Sequence, residues 1–169
     1  MLKFSILAFF LGSFWISNLQ AEDGWYTDYA QAKVAAQAQG KPLFLDFTGS
    51  DWCGWCMKFD KEVFSTPQFK TYAQNNLILV KLDFPQQKPQ SVEEKSQNAQ
   101  LQRQFGVHEF PTLMLLSSDE KELFRQGGYS EGGPEPFIAQ LRKVAPPVAA
   151  PPPQAPDDIF TPKPNPDFK

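Results

Sequence analysis

The chain has 169 residues, 41% of them hydrophobic, and a formal net charge of −3. That length supports one domain with a real core, and the acidic balance excludes the basic footprint of a nucleic-acid binder. Two cysteines and a single histidine are too few for a structural zinc site built from Cys and His alone.

Lys3 and the uncharged run Phe4–Ile16 read as the n- and h-regions of an export signal, with residues 1–21 removed after Ala21. The run is shorter than the roughly 20 apolar residues a membrane span needs. Export places the mature domain, residues 22–145, in a periplasm or outside the cell, where disulfides persist. Residues 25–39 are predicted as a helix stopped by Gly40, with Tyr26, Tyr29, Ala30 and Val34 on its inner face. "LFLDF", Leu43 to Phe47, is a buried strand interrupted by one acid, Asp46. After "TGSDW", Cys53–Phe64 reads as a helix with Cys56, Phe59 and Val63 inward. Thr66 and Pro67 restart a helix as cap and first-turn proline.

Leu77–Phe84 is a second buried strand. Ser91 and Glu94 offer a capping box to a polar helix that ends near Gly106. Thr112–Ser117 and "ELFRQ" form a third and fourth strand joined as a hairpin. A glycine-rich corner leads to a last helix with Phe137, Leu141 and Val144 inward. The order α-β-α-β-α-β-β-α predicts an α/β fold of three layers: a small mixed sheet of about four strands with helices on both faces. Strands separated by helices are expected to run parallel, with an antiparallel hairpin at the edge. Residues 146–169 hold nine of the chain's 16 prolines, and a proline-rich disordered tail is expected there.

Cys53 and Cys56 admit three readings. A staple closing a two-residue loop gains little from loop entropy. A metal site lacks ligands, so no metal is expected. A redox pair accounts for the placement. Cys53 opens a helix, where unpaired N–H groups and the helix dipole favour a thiolate, the attacking species in disulfide exchange. Cys56, one turn on, can resolve the mixed disulfide. Buried Asp46 suits a proton acceptor for Cys56, unless a lysine or backbone group satisfies it. Pro111 directly precedes a strand, where proline is rare without a role. Trp52 and Trp55 flank the pair, either as an apolar surface for substrate or as packing on the domain.

These residues resemble the thioredoxin superfamily. "FLDFTGSDWCGWCMKF" is similar to its strand-loop-CxxC-helix signature, "FGVHEFPTLMLL" to its proline-strand signature, and "RQGGY" to its glycine corner. The likeness spans roughly residues 25–144. It is nearest the exported thioredoxin-like branch that includes the periplasmic C-terminal domain of DsbD and the chlamydial DsbH proteins. The resemblance implies Cys53 as nucleophile, Cys56 as resolving cysteine, Asp46 as the buried acid and Pro111 as a cis proline. Trp52, Gly54, Trp55 and Phe110 are then the expected substrate-binding surface. The sequence departs from thioredoxin in three ways: one extra residue between Asp46 and Cys53, no extra first strand, and Gly-Trp between the cysteines.

A histidine in that dipeptide would stabilise the thiolate and make an oxidant; Gly54 and Trp55 supply no charge. The expected activity is therefore reduction of protein disulfides, with no cofactor beyond the cysteine pair. Oxidase or isomerase activity, or chaperone-like binding of unfolded chains, is the alternative. Disulfide-containing exported proteins are the expected substrates of a monomer. A DsbD-type membrane electron donor is expected to recharge it, because the chain has no flavin or nicotinamide motif and no second thiol pair.

Overall fold

The computed structural model describes residues 24–145. The export signal expected over 1–21 and the tail expected over 146–169 lie outside the described residues. Five strands form one mixed sheet in the order β1-β3-β2-β4-β5. They are β1 (Trp25–Tyr26), β2 (Leu43–Thr48), β3 (Ile78–Asp83), β4 (Thr112–Leu116) and β5 (Glu122–Gly127). The helices are α1 (Tyr29–Gln39), α2 (Gly54–Phe59), α3 (Pro67–Asn76), α4 (Val92–Gln104) and α5 (Pro134–Val144). Among the described residues no helix is long and apolar enough to cross a membrane.

The nearly continuous apolar runs of β2 and β4 follow from burial on both faces. Leu43, Leu45 and Phe47 point into one core with Ala32 and Ala36 of α1 and Leu101 of α4. Phe44, Leu113 and Leu115 point into the other, with side chains from α2, α3 and α5. In this second core Phe44 meets Phe64, Phe69 and Phe137 edge-on, with ring centroids 5.7–6.0 Å apart. That aromatic block is the bed on which α2 lies.

Several expectations need correction. Residues 25–39 are not one helix. Trp25 and Tyr26, aromatic strand formers, pair in parallel with Leu79 and Val80 and give the sheet a fifth strand. Asp28 then caps α1 by accepting the Gln31 N–H at 3.0 Å. The chain thus has a leading strand after all. The buried residues of α1 are Tyr29, Ala32 and Ala36, while Val34 is 67% exposed and Ala30 is exposed. Small residues let this helix sit close to the sheet, so its inner face carries little hydrophobic signal. In α5, Ile138 rather than Val144 joins Phe137 and Leu141 in the core.

The third predicted strand is antiparallel, not parallel. Thr112 opposes Phe47 near the end of β2, and Leu116 opposes Leu43 at its start. The chain leaves β3 at Asp83 and re-enters the sheet at the same end, because loops on both sides of α4 bring it back. A crossover made by the helix alone would have delivered a parallel strand. Only β2 and β3, and β1 with β3, run parallel.

The helix predicted over 53–64 changes type midway. A π-helical turn, Asp60–Phe64, follows α2, with the Ser65 N–H donating to Asp60 O at 2.7 Å. In an α-helix a residue five places on lies about 140° around the axis. The wider turn instead brings Phe64 over Phe59, with centroids 4.9 Å apart, and keeps Val63 buried as well. The predicted caps are in place: Thr66 Oγ1 accepts from Phe69 N, and Ser91 Oγ accepts from Glu94 N.

Candidate active site at the Cys53–Cys56 pair

Cys53 is the N-cap of α2, in extended backbone, and Cys56 lies one turn inside. The two are joined in a disulfide, with Cα atoms 5.2 Å apart. The Cys56 N–H donates to Cys53 Sγ at 3.2 Å, so a free helix-terminal donor is aimed at the first sulfur. Both cysteines are buried as whole residues, and the residues around them form two aromatic walls.

One wall is built on Trp52. Its Nε1 donates to Phe84 O at 2.7 Å, and its ring meets Phe110 edge-on at 5.6 Å. Phe110 in turn packs against Phe84 at 5.1 Å. Gly49 lies beneath the indole: a Cβ there would fall 2.4 Å from Trp52 Cε2. The Phe110–Pro111 peptide bond is cis, Pro111 is buried, and its carbonyl accepts the Gly128 N–H at 2.8 Å. The structure thus brings Trp52 and Phe110 into contact, one next to Cys53 and the other next to Pro111.

The second wall is Trp55, 58% exposed and stacked on Tyr129. Gly54 sits between the walls with nothing within 4 Å of a would-be Cβ. Trp52 and Trp55 are therefore on separate walls, not one patch.

Asp46 is 3% exposed, on the β2 face that carries Phe44 and looks toward α2. Burial pushes its carboxyl up to about 7. Lys81, its neighbour across β3, opposes that rise, and Asp60 and Asp83 add to it. Its Oδ1 finds no hydrogen-bond partner among the described residues. The lysine foreseen as a possible partner is near enough to act through charge but makes no salt bridge to it among the described residues.

Sequence reasoning missed the supports of this site. Asp51 accepts backbone N–H groups from Gln86, Gln87 and Lys88 at 2.7–2.9 Å, and these bonds hold its carboxyl below the usual range. Asp83 accepts from the backbone and hydroxyl of Ser50 at 2.9 and 2.6 Å. The loop before Cys53 is thereby tied to the loop after β3. "DW" beside the cysteines and "PQQKP" 35 residues later carry no local signal of one another.

A family model described as a thioredoxin-like domain matches residues 29–145. The chain is 35% identical over 128 residues to the disulfide bond reductase DsbH of Chlamydia pneumoniae, covering 76% of this chain and 74% of that protein. It is 32% identical over 134 residues to the thioredoxin-related protein DsbJ of the same organism, but spans only 38% of that protein. A solved structure described as a DsbH oxidoreductase superposes with a TM-score of 0.68 at 34% identity, covering 72% of this chain and 83% of that one. With the cysteine pair at a helix N-cap behind a buried strand, these likenesses establish that the chain belongs to the thioredoxin-like family.

Proposed function

We propose that this protein is an exported thiol-disulfide oxidoreductase that reduces disulfides in other exported proteins. The observation that carries the reading is the Cys53–Cys56 disulfide at the N-cap of α2, with the Cys56 N–H directed at Cys53 Sγ. The likeness to DsbH, a protein named as a disulfide bond reductase, supports the direction.

In the reduced enzyme the Cys53 thiolate is the nucleophile, favoured by the helix-terminal N–H groups. It attacks one sulfur of a substrate disulfide, forms a mixed disulfide and releases the other sulfur as a thiolate. Cys56 gives up its proton, with Asp46 as acceptor; a carboxyl with a pKa of about 7 is matched to that task near neutrality. Cys56 then attacks Cys53 Sγ, the mixed disulfide breaks, and the second substrate thiolate leaves. Two electrons pass to the substrate, whose two thiolates take up one proton released by Cys56 through Asp46 and one from water, and the Cys53–Cys56 disulfide remains. Phe110 and Pro111 border the approach of the substrate backbone, and Trp52, Gly54 and Trp55 receive its side chains. The protein acts as a monomer. A dithiol donor must restore the reduced pair, and a DsbD-type membrane carrier suits an oxidising compartment.

A glutathione titration tests the direction. The uncharged Gly54–Trp55 dipeptide predicts a potential near thioredoxin's, about −270 mV; a value near the oxidant DsbA's, about −120 mV, would make the protein an oxidase. Insulin reduction separates catalysis from chaperone-like binding: Cys53→Ser abolishes turnover, whereas a holding activity would survive it.

A further inference from the structure

An exposed tryptophan inside a CxxC dipeptide would ordinarily be a free rotor. Trp55 is not. Tyr129 lies almost parallel to it, with centroids 5.4 Å apart and planes 19° apart. Tyr129 is itself fixed from three sides. Its hydroxyl donates to the Glu62 carboxylate in the π-helical turn, which pushes the phenol up to about 12. Its ring meets buried Phe59 edge-on at 5.9 Å, and Lys58 Nζ lies 4.6 Å from its centroid. Lys58 is also 5.5 Å from the Trp55 ring, so one ammonium sits over both aromatics. The preceding Gly128, at φ 71°, turns the chain while its N–H holds Pro111 O. One side chain from the glycine corner thus braces the indole that immediately precedes Cys56.

We propose that Tyr129 is a positioning residue that sets protein-substrate specificity. It holds the Trp55 indole in one orientation, so that the face not covered by Tyr129 is offered beside the disulfide to an apolar or aromatic side chain next to the substrate's cysteine. Lys58 disfavours a cationic side chain there, and Glu62 is engaged by the tyrosine. Ordering the indole in advance removes a cost that binding would otherwise meet. The inference rests on the reductase reading above.

Steady-state kinetics with two substrates test it: insulin, and hydroxyethyl disulfide, which has no side chain to stack. Tyr129→Ala should raise KM for insulin about fivefold, equivalent to ~1 kcal/mol at about 1.4 kcal/mol per tenfold. Its kcat and its turnover of hydroxyethyl disulfide should stay within twofold of the parent. Tyr129→Phe, which keeps the stacked ring, should restore the parental KM. Trp55→Ala should raise the insulin KM equally, and adding Tyr129→Ala to it should change nothing more. An unchanged insulin KM in Tyr129→Ala, or a further rise in the double variant, would overturn the inference while normal hydroxyethyl disulfide turnover left the reductase reading standing. If the parent turned over neither disulfide, both would fall together. Should Tyr129→Ala not fold, Trp55→Ala and Tyr129→Phe still decide: parental KM in the first, or a fivefold rise in the second, counts against it.

Discussion

Asp46 shows how a single buried acid links stability to chemistry. Its folded pKa, about 7, lies above its ordinary value of 3.8. The fold therefore favours the protonated form. Stability is greatest below the ordinary value, falls as pH rises from about 4 to 7, and stays reduced above that. Asp46→Asn removes the ionisation. The variant should come within about 1 kcal/mol of the parent near pH 4.5 and exceed it at pH 8 by an amount on the order of a few kcal/mol. Urea unfolding of both proteins at the two pH values checks this, and a pH-independent difference would contradict it. A second single-residue test concerns Gly49, whose missing side chain makes room for Trp52. Gly49→Ala should displace the indole, break its bond to Phe84 O and cost about 1–3 kcal/mol, as overpacking does. A near-UV circular dichroism spectrum identical to the parent's would show that the ring had not moved. Both cysteines, Asp46, Pro111 and the flanking tryptophans were legible in the sequence because their signals are local: a spacing, an acid in an apolar run, a proline before a strand. Tyr129 and Asp51 were not. Each acts on a residue far away in the chain, and only the fold brings the partners together.

At the scale of elements, periodicity found what burial on both faces or one face dictates, and missed what pairing dictates. β2, β3 and β4 were visible as apolar runs. β1 was not, because two residues make no period and their role comes from Leu79 and Val80 opposite. The direction of β4 was equally hidden, since an apolar run reads the same both ways and the returning loops around α4 decide it. The π-helical turn arises from the need to bury Phe59, Val63 and Phe64 together. The loops at the site behave as one element. Asp51 clamps residues 86–88 to the segment that ends in Trp52 and Cys53. Because hydrogen bonds lower the pKa of Asp51, the clamp is present above its unfolded value and is lost as pH falls through the lower folded one. Asp51→Ala should therefore speed hydrogen exchange at the Gln86, Gln87 and Lys88 amides at neutral pH, while the amides of β2 and β3 keep parental protection. Unchanged protection at those three amides would mean that the carboxylate is not what orders the loop.

For the whole molecule, redox direction and folding stability are one quantity measured two ways. The difference in unfolding free energy between the oxidised and reduced proteins equals the difference in disulfide-forming free energy between the folded and unfolded chain. A fold that stabilises its dithiol form gives it up with difficulty and acts as an oxidant, which is the reason for DsbA's high potential. This molecule lacks one source of that stabilisation. The described residues place no histidine or other cation between Cys53 and Cys56, and Lys58, the cation two residues beyond, is turned over the rings of Trp55 and Tyr129. In the reduced state the fold would have to keep two sulfurs buried above a layer that already contains Asp46 without a hydrogen bond to its Oδ1. The disulfide relieves part of that cost by replacing two ionisable thiols with an apolar bond. The oxidised protein should consequently unfold at a higher temperature and urea concentration than the reduced one. Each ~30 mV by which the folded pair is more reducing than the unfolded pair adds about 1.4 kcal/mol to that gap. Thermal and urea unfolding with and without excess dithiothreitol measures it directly. A reduced form more stable than the oxidised one would reverse the proposed direction of electron flow, whatever activity is seen with an artificial substrate.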